Sequence, residues 1–129
     1  MSVALLLVTH EAIGNNMLAI TRAIINDELD NSACIEVPMD SETDIIQQHA
    51  NKVIDDLDTE QGLLIITDSY GSTPFNIAMR LQHNIKSTLV SGLNLPMLLR
   101  IMNYRDRPLE ELTRTAIEGG NKGIQTRSQ

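Results

Sequence analysis

The sequence predicts a doubly wound α/β domain: a mainly parallel sheet with helices on both faces. Three observations carry this expectation. Short, continuously apolar runs recur, as strands covered on both faces require. Between them lie segments whose apolar residues repeat at helical spacing, and strands that alternate with helices make βαβ units. No linker, repeat or low-complexity tract divides the 129 residues, so residues 1–129 are read as one domain with its own core.

The elements follow in order. VALLLVT (3–9) is the first strand, and Ile13, Met17, Ile20 and Ile24 then recur at helical spacing. ACIEV (33–37) is a short second strand, ended by Pro38. Ser41 and Asp44 are placed as a capping box for the next helix, whose stripe is Ile46, Ala50, Val53 and Leu57. GLLIITD (62–68) is the strongest strand signal in the chain. SYGSTPFNIAMRL is a glycine-containing loop that leads into a helix, with Thr73 suited to the N-cap and Pro74 to the first helical position. STLVSGLN (87–94) is the fourth strand, and LPMLLRIMNY is a short helix with Pro96 near its start. Pro108 opens the last helix, with Leu109, Leu112 and Ala116 as its stripe and Gly119-Gly120 as its end. The tail NKGIQTRSQ is polar except for Ile124 and is read as a short edge strand or a frayed end.

Composition narrows the function. Aromatic residues are only 2%, which argues against base stacking on single-stranded nucleic acid. The net charge of -7 opposes binding to a phosphate backbone and favours a partner with a basic face. Cys34 is the single cysteine, so no intrachain disulfide forms; it reads as a small hydrophobe on a strand, in a reducing compartment. No segment approaches the roughly 18 apolar residues of a membrane span, and the first apolar run is too short for a signal peptide. The expectation is a soluble cytoplasmic protein with no membrane insertion.

In an open parallel sheet, ligands bind beyond the carboxyl ends of the strands at the topological switch point. A flavodoxin-like strand order 2-1-3-4 makes strands 1 and 3 neighbours there. Strand 1 ends in Thr9-His10 and strand 3 in Thr67-Asp68, so a histidine and an aspartate distant in sequence arrive side by side. A carboxylate that accepts from Nδ1–H fixes the imidazole tautomer and leaves Nε2 with a free lone pair, as a nucleophile or base requires. A lone histidine is more often a solvated loop residue; its place opposite an aspartate favours chemistry. In GSTPFN (71–76), Gly71 permits close backbone approach, Ser72 and Thr73 offer hydroxyls, and the helix start is an anion site. Taken alone, that loop is an ordinary capped turn. Asn94 reads as a polar wall or as another helix cap. His49 and His83 read as surface residues, and Asp55, Asp56, Asp58 and Glu60 as a solvated helix end. No phosphate-loop or dinucleotide motif is present, and no set of residues has metal-ligand spacing.

VTH after the first strand, TDSYGSTPFN after the third and VSGLNLPML around the fourth resemble, in that order, the mannose-family IIA component of the bacterial sugar phosphotransferase system. The resemblance runs from residue 3 to about residue 123. It implies a stand-alone IIA-like domain of the same doubly wound fold. It implies that His10 accepts a phosphoryl group on Nε2 from the phosphohistidine carrier HPr. The group then passes to a IIB partner in sugar uptake, or its presence signals to a regulatory protein. Asp68 would orient the histidine, and Thr9, Gly71, Ser72 and Thr73 are the phosphoryl-binding candidates. The resemblance also implies a homodimer in which the C-terminal segment crosses between subunits. Transfer between two imidazoles is an in-line exchange with little covalent work for the protein, so no cofactor and no metal is called for. This chain has Glu11 directly after the histidine and Tyr70 in the loop, where sugar-transporting members often carry glycine and tryptophan.

Three alternatives stand beside this reading. A receiver domain would phosphorylate Asp68, but it needs an acidic cluster after strand 1, where this chain has only Glu11. The phosphocarrier subunit of dihydroxyacetone kinase is another, although STPFN fits the mannose-type motif better. The third is a non-catalytic module that binds an anion in the same cleft.

Overall fold

The computed structural model describes residues 2–129. The strands are β1 (Ala4–His10), β2 (Ser32–Val37), β3 (Leu63–Thr67) and β4 (Ser87–Ser91). The helices are α1 (Ile13–Ile25), α2 (Thr43–Asp55), α3 (Thr73–Leu81), α4 (Leu95–Asn103) and α5 (Leu109–Lys122). All pairings are parallel and the order is β2-β1-β3-β4, as the alternation of strands and helices predicts.

β1 is central and covered on both faces. Val3, Leu5 and Leu7 join one core with Leu18 of α1, Leu98 and Ile101 of α4, and Leu112 and Ala116 of α5. Ala4, Leu6 and Val8 join the other with Ala50 and Ile54 of α2 and Ile77, Ala78 and Leu81 of α3. Alternate residues of one strand thus feed two separate cores, which is why 3–9 reads as an unbroken apolar run. Each fully buried leucine or isoleucine there contributes roughly 1.5–3 kcal/mol of transfer free energy.

Several local expectations are corrected. Of the α1 residues that recur at helical spacing, only Met17 packs against the core: Ile13, Ile20 and Ile24 are exposed, while Gly14, Leu18 and Thr21 are buried. The cause is Gly14. A Cβ there would collide with Cys34 Sγ and come within 3.0 Å of Thr9 Oγ1, so α1 lies on its small side, close to the sheet. No capping box forms at α2; the N-cap is Glu42 without a side-chain bond, and Ser41 Oγ donates to the Pro38 carbonyl at 2.8 Å. At α3 the N-cap is Ser72, one residue before the expected Thr73. Asn94 is a cap, its Oδ1 accepting from Met97 N–H at 2.9 Å.

Gly119-Gly120 does not end α5, which continues to Lys122. A Cβ on Gly119 would lie 2.5 Å from Arg100 Cβ, and one on Gly120 would lie 2.9 Å from Met97 Cε. These glycines let α5 and α4 approach rather than stopping the helix. The tail forms no edge strand within the chain: residues 124–129 are exposed and lack regular structure, so β4 keeps an open edge. His49 and His83 are exposed, as expected.

Cys34 is half-buried against the apolar core, and burial, with Glu36 nearby, pushes its thiol from the ordinary 9.0 up to about 12. It stays neutral in the folded chain and ionises near pH 9 when unfolded, so folding loses stability as pH rises from 9 toward 12. At pH 8, Cys34 should react with iodoacetamide far more slowly in the native chain than in urea-unfolded chain, as peptide mass mapping will show. Gly14→Ala should destabilise the fold by about 1–3 kcal/mol in urea titration. Adding Cys34→Ala should restore part of that loss, because it removes the sulfur that the new methyl meets.

Candidate functional site

The register pairs Val8 with Thr67, so the residues that follow leave β1 and β3 together at the carboxyl end of the sheet. His10 and Asp68 meet there as the sequence predicts. Asp68 Oδ2 lies 2.7 Å from His10 Nδ1 and accepts the His10 backbone N–H at 3.2 Å. An ionised carboxylate only accepts, so the ring nitrogen facing it is the one that carries a proton. Nε2 is then the lone-pair nitrogen. The His10 side chain is 32% exposed and that of Asp68 11%, so the imidazole is the accessible member of the pair. Asp68 Oδ1 is buried with no hydrogen-bond partner among the described residues. Such an atom costs about 1–3 kcal/mol, and the carboxylate is held through its other oxygen alone.

His10 opens into a cavity of about 160 Å³. Its other walls come from Val37 at the end of β2, from Pro38, Met39 and Ser41 after it, and from Thr43 of α2 and Thr73 of α3. The β2 contribution was missed in the sequence, although it follows from β2 neighbouring β1, with Val37 in register with His10. The volume is below the roughly 300–1,000 Å³ of ordinary small-molecule pockets. It suits a group of phosphoryl size.

The candidates in the glycine loop divide by role. Gly71 has φ 76°, the left-handed region that favours glycine, and it stands in open space. Ser72 Oγ donates to the Ser69 carbonyl at 2.7 Å and accepts from Phe75 N–H at 3.3 Å, so its hydroxyl closes the turn. Pro74 has no N–H, and Asn76 N–H bonds the Ser72 carbonyl. That leaves Thr73, whose N–H has no acceptor among the described residues, as the open donor of this helix start. Tyr70 packs against Phe75 with ring centroids 4.7 Å apart and is otherwise exposed.

Thr9 does not face the cleft. It is fully buried, and its hydroxyl donates to the His10 carbonyl at 2.8 Å and accepts from Gly14 N–H at 2.9 Å. A phosphoryl contact through this hydroxyl is therefore replaced by a backbone role. Glu36, unremarked in the sequence, accepts from Asn15 N–H at 3.1 Å at the start of α1. Glu11 is exposed to solvent.

Fold and site together define a parallel α/β domain built around one strand-end histidine, distinct from the dinucleotide and phosphate-loop classes of doubly wound sheet. Comparison with known families makes this specific. The family model EIIA-man, described as the PTS (phosphotransferase system) fructose IIA component, matches residues 4–117, and the chain belongs to that family. It is 28% identical over 128 residues to the PTS system mannose-specific EIIAB component of Escherichia coli strain K12. That match covers 96% of this chain but only 39% of the relative, so the chain spans about two fifths of its length. In structure it resembles the mannose/sorbose specific IIA subunit from Enterococcus faecalis, with TM-score 0.88, 23% identity and coverage of 100% of this chain and 97% of the other. It also resembles the PTS IIA protein associated with the fucose utilization operon from Streptococcus pneumoniae, with TM-score 0.79, 19% identity and coverage of 98% and 96%. Among the described residues, no helix is long and apolar enough to cross a membrane.

The tautomer argument is testable directly. In ¹⁵N-detected spectra at pH 8, wild-type His10 should carry its proton on Nδ1. Asp68→Ala should move the population toward the Nε2–H form while thermal unfolding stays cooperative. An unchanged tautomer in that variant would remove Asp68 as the group that orients the ring.

Proposed function

We propose that this chain is a phosphohistidine carrier in which His10 is the acceptor. The observation that carries the reading is the 2.7 Å contact from Asp68 Oδ2 to His10 Nδ1, which leaves Nε2 as the nucleophile. The Nε2 lone pair attacks phosphorus in line. The new N–P bond forms as the donor's P–N bond breaks, and that bonding pair returns to the donor imidazole nitrogen. Asp68 stabilises the Nδ1–H form throughout. The phosphoryl oxygens lie toward Thr73, with its N–H and hydroxyl, while Gly71 and Ser72 hold the loop in shape.

The donor is HPr or an HPr-like carrier, and the acceptor is a IIB component in sugar uptake or a regulatory protein that reads the phosphorylated state. A protein donor suits the small cavity, which holds a phosphoryl group and little more. The net charge of -7 favours donors with a basic face. The same reading makes the chain a cytoplasmic homodimer, with the tail around Ile124 pairing on the open β4 edge of a second copy. Against a phospho-aspartate switch stands the geometry of Asp68, whose Oδ2 is engaged by His10 and whose Oδ1 is buried.

Incubation with phosphoenolpyruvate, enzyme I and HPr should add one phosphoryl group to the intact mass of the wild type. It should add none to His10→Ala. The adduct should be labile in acid and stable in alkali. An alkali-labile adduct, or equal phosphorylation of His10→Ala, overturns the assignment.

A further inference from the structure

α1 starts three residues after His10, near enough for its amides to compete for an anion. Two of them are already bonded. Gly14 N–H donates to Thr9 Oγ1 at 2.9 Å, and Asn15 N–H donates to Glu36 Oε2 at 3.1 Å. Thr9 Oγ1 in turn donates its proton to the His10 carbonyl at 2.8 Å. One hydroxyl therefore bridges the turn from β1 into α1, as donor to residue 10 and acceptor from residue 14. Thr9 is 0% exposed, so neither bond competes with solvent. On the other side of the same residue, Asp68 Oδ2 takes both the His10 backbone N–H and its ring N–H. His10 is thus held at its amide, its carbonyl and its ring.

We infer that Thr9 is a positioning residue for phosphoryl transfer, acting through the His10 backbone, an inference that rests on His10 being the acceptor. Asp68 can hold the imidazole only if the backbone that carries it is fixed, because one oxygen serves both bonds. The Thr9 hydroxyl supplies that fixture from the other end of the residue, at its carbonyl. The geometry needs a side chain that both donates and accepts within one residue of the histidine, which threonine or serine meets and valine does not. Valine, of the same shape, would take the Thr9 hydroxyl from both the Gly14 N–H and the His10 carbonyl and release the turn.

The test compares Thr9→Val with Thr9→Ser, using HPr phosphorylated by enzyme I and phosphoenolpyruvate, together with His10 ring ¹⁵N spectra and amide hydrogen exchange. Thr9→Val should lower the rate of phosphoryl acceptance by roughly tenfold or more, the scale on which misplaced reacting groups act. It should also mix the His10 tautomers, while Thr9→Ser stays within about threefold of the wild type. A role in folding alone would not move the tautomer. Wild-type rate and tautomer in Thr9→Val, or a serine variant as slow as valine, overturn the inference. If Thr9→Val does not fold, the wild type and Thr9→Ser decide. The Gly14 amide should be protected from exchange in both, and exchange as fast as an exposed loop amide overturns the clamp. Failure of the wild type to accept phosphoryl would instead refute the carrier reading, and the tautomer and exchange data would still judge the clamp.

Discussion

His10 and Asp68 stand 58 residues apart in the chain, and the parallel pairing of β1 with β3 sets them 2.7 Å apart. The site depends on that register. A one-residue slip would turn His10 toward the opposite face of the sheet, since side chains alternate with period two. Yet the apolar run of β1 gives little protection against slipping, because both of its faces are covered. The register is secured at the strand ends. At the amino end, Ala4 N–H bonds the Gly62 carbonyl and Leu5 N–H bonds that of Asn31. There the Arg105 guanidinium also ties the Val3 and Asn31 carbonyls, with Nη2 2.9 Å from each. At the carboxyl end, Asp68 captures both the amide and the ring of His10. The polar ends therefore align what the apolar middle would leave free.

Two helices begin beside the site and differ in how their free amides are used. The start of α1 is closed by Thr9 and Glu36, so it has little left to offer an anion. The start of α3 is closed by Ser72 at Phe75, while the Thr73 N–H has no acceptor among the described residues and Thr73 lines the cavity. A helix start is an anion site only where its donors are unclaimed. This asymmetry leaves α3, rather than α1, as the helix start with an unclaimed donor beside His10. It also separates the neighbouring residues Ser72 and Thr73: the Ser72 hydroxyl closes the turn, and Thr73 lines the cavity.

Much of this was legible in the chain. Unbroken apolar runs announced strands buried on both faces, and the alternation with helical segments announced a parallel sheet. Strand order then brought Thr9-His10 and Thr67-Asp68 together, because ligand sites lie at the carboxyl ends where the order reverses. Other features are decided by packing. Ile13, Met17, Ile20 and Ile24 recur at helical spacing, but periodicity reports which residues share a face, not which face is buried. Gly119-Gly120 looked like a helix end because glycine is a common terminator, whereas α4 needs both glycines for close approach. Thr9 is a phosphoryl-binding candidate by resemblance alone, and only the folded chain shows its hydroxyl bonded to the His10 carbonyl and the Gly14 N–H.

The sequence by itself determined the layered α/β fold, the four strands and their helices, and the arrival of a histidine and an aspartate at one edge of the sheet. Those follow from local apolar pattern and from the small number of ways in which βαβ units connect. Tertiary structure alone decided which side of α1 lies on the sheet, which hydroxyls are taken up by the backbone, and that residues after β2 wall the His10 cavity. These outcomes depend on distances of a few tenths of an ångström between elements. Such distances are set by the side chains that meet across the contact, such as Gly14 against Cys34 and Thr9, and no pattern within one element encodes them.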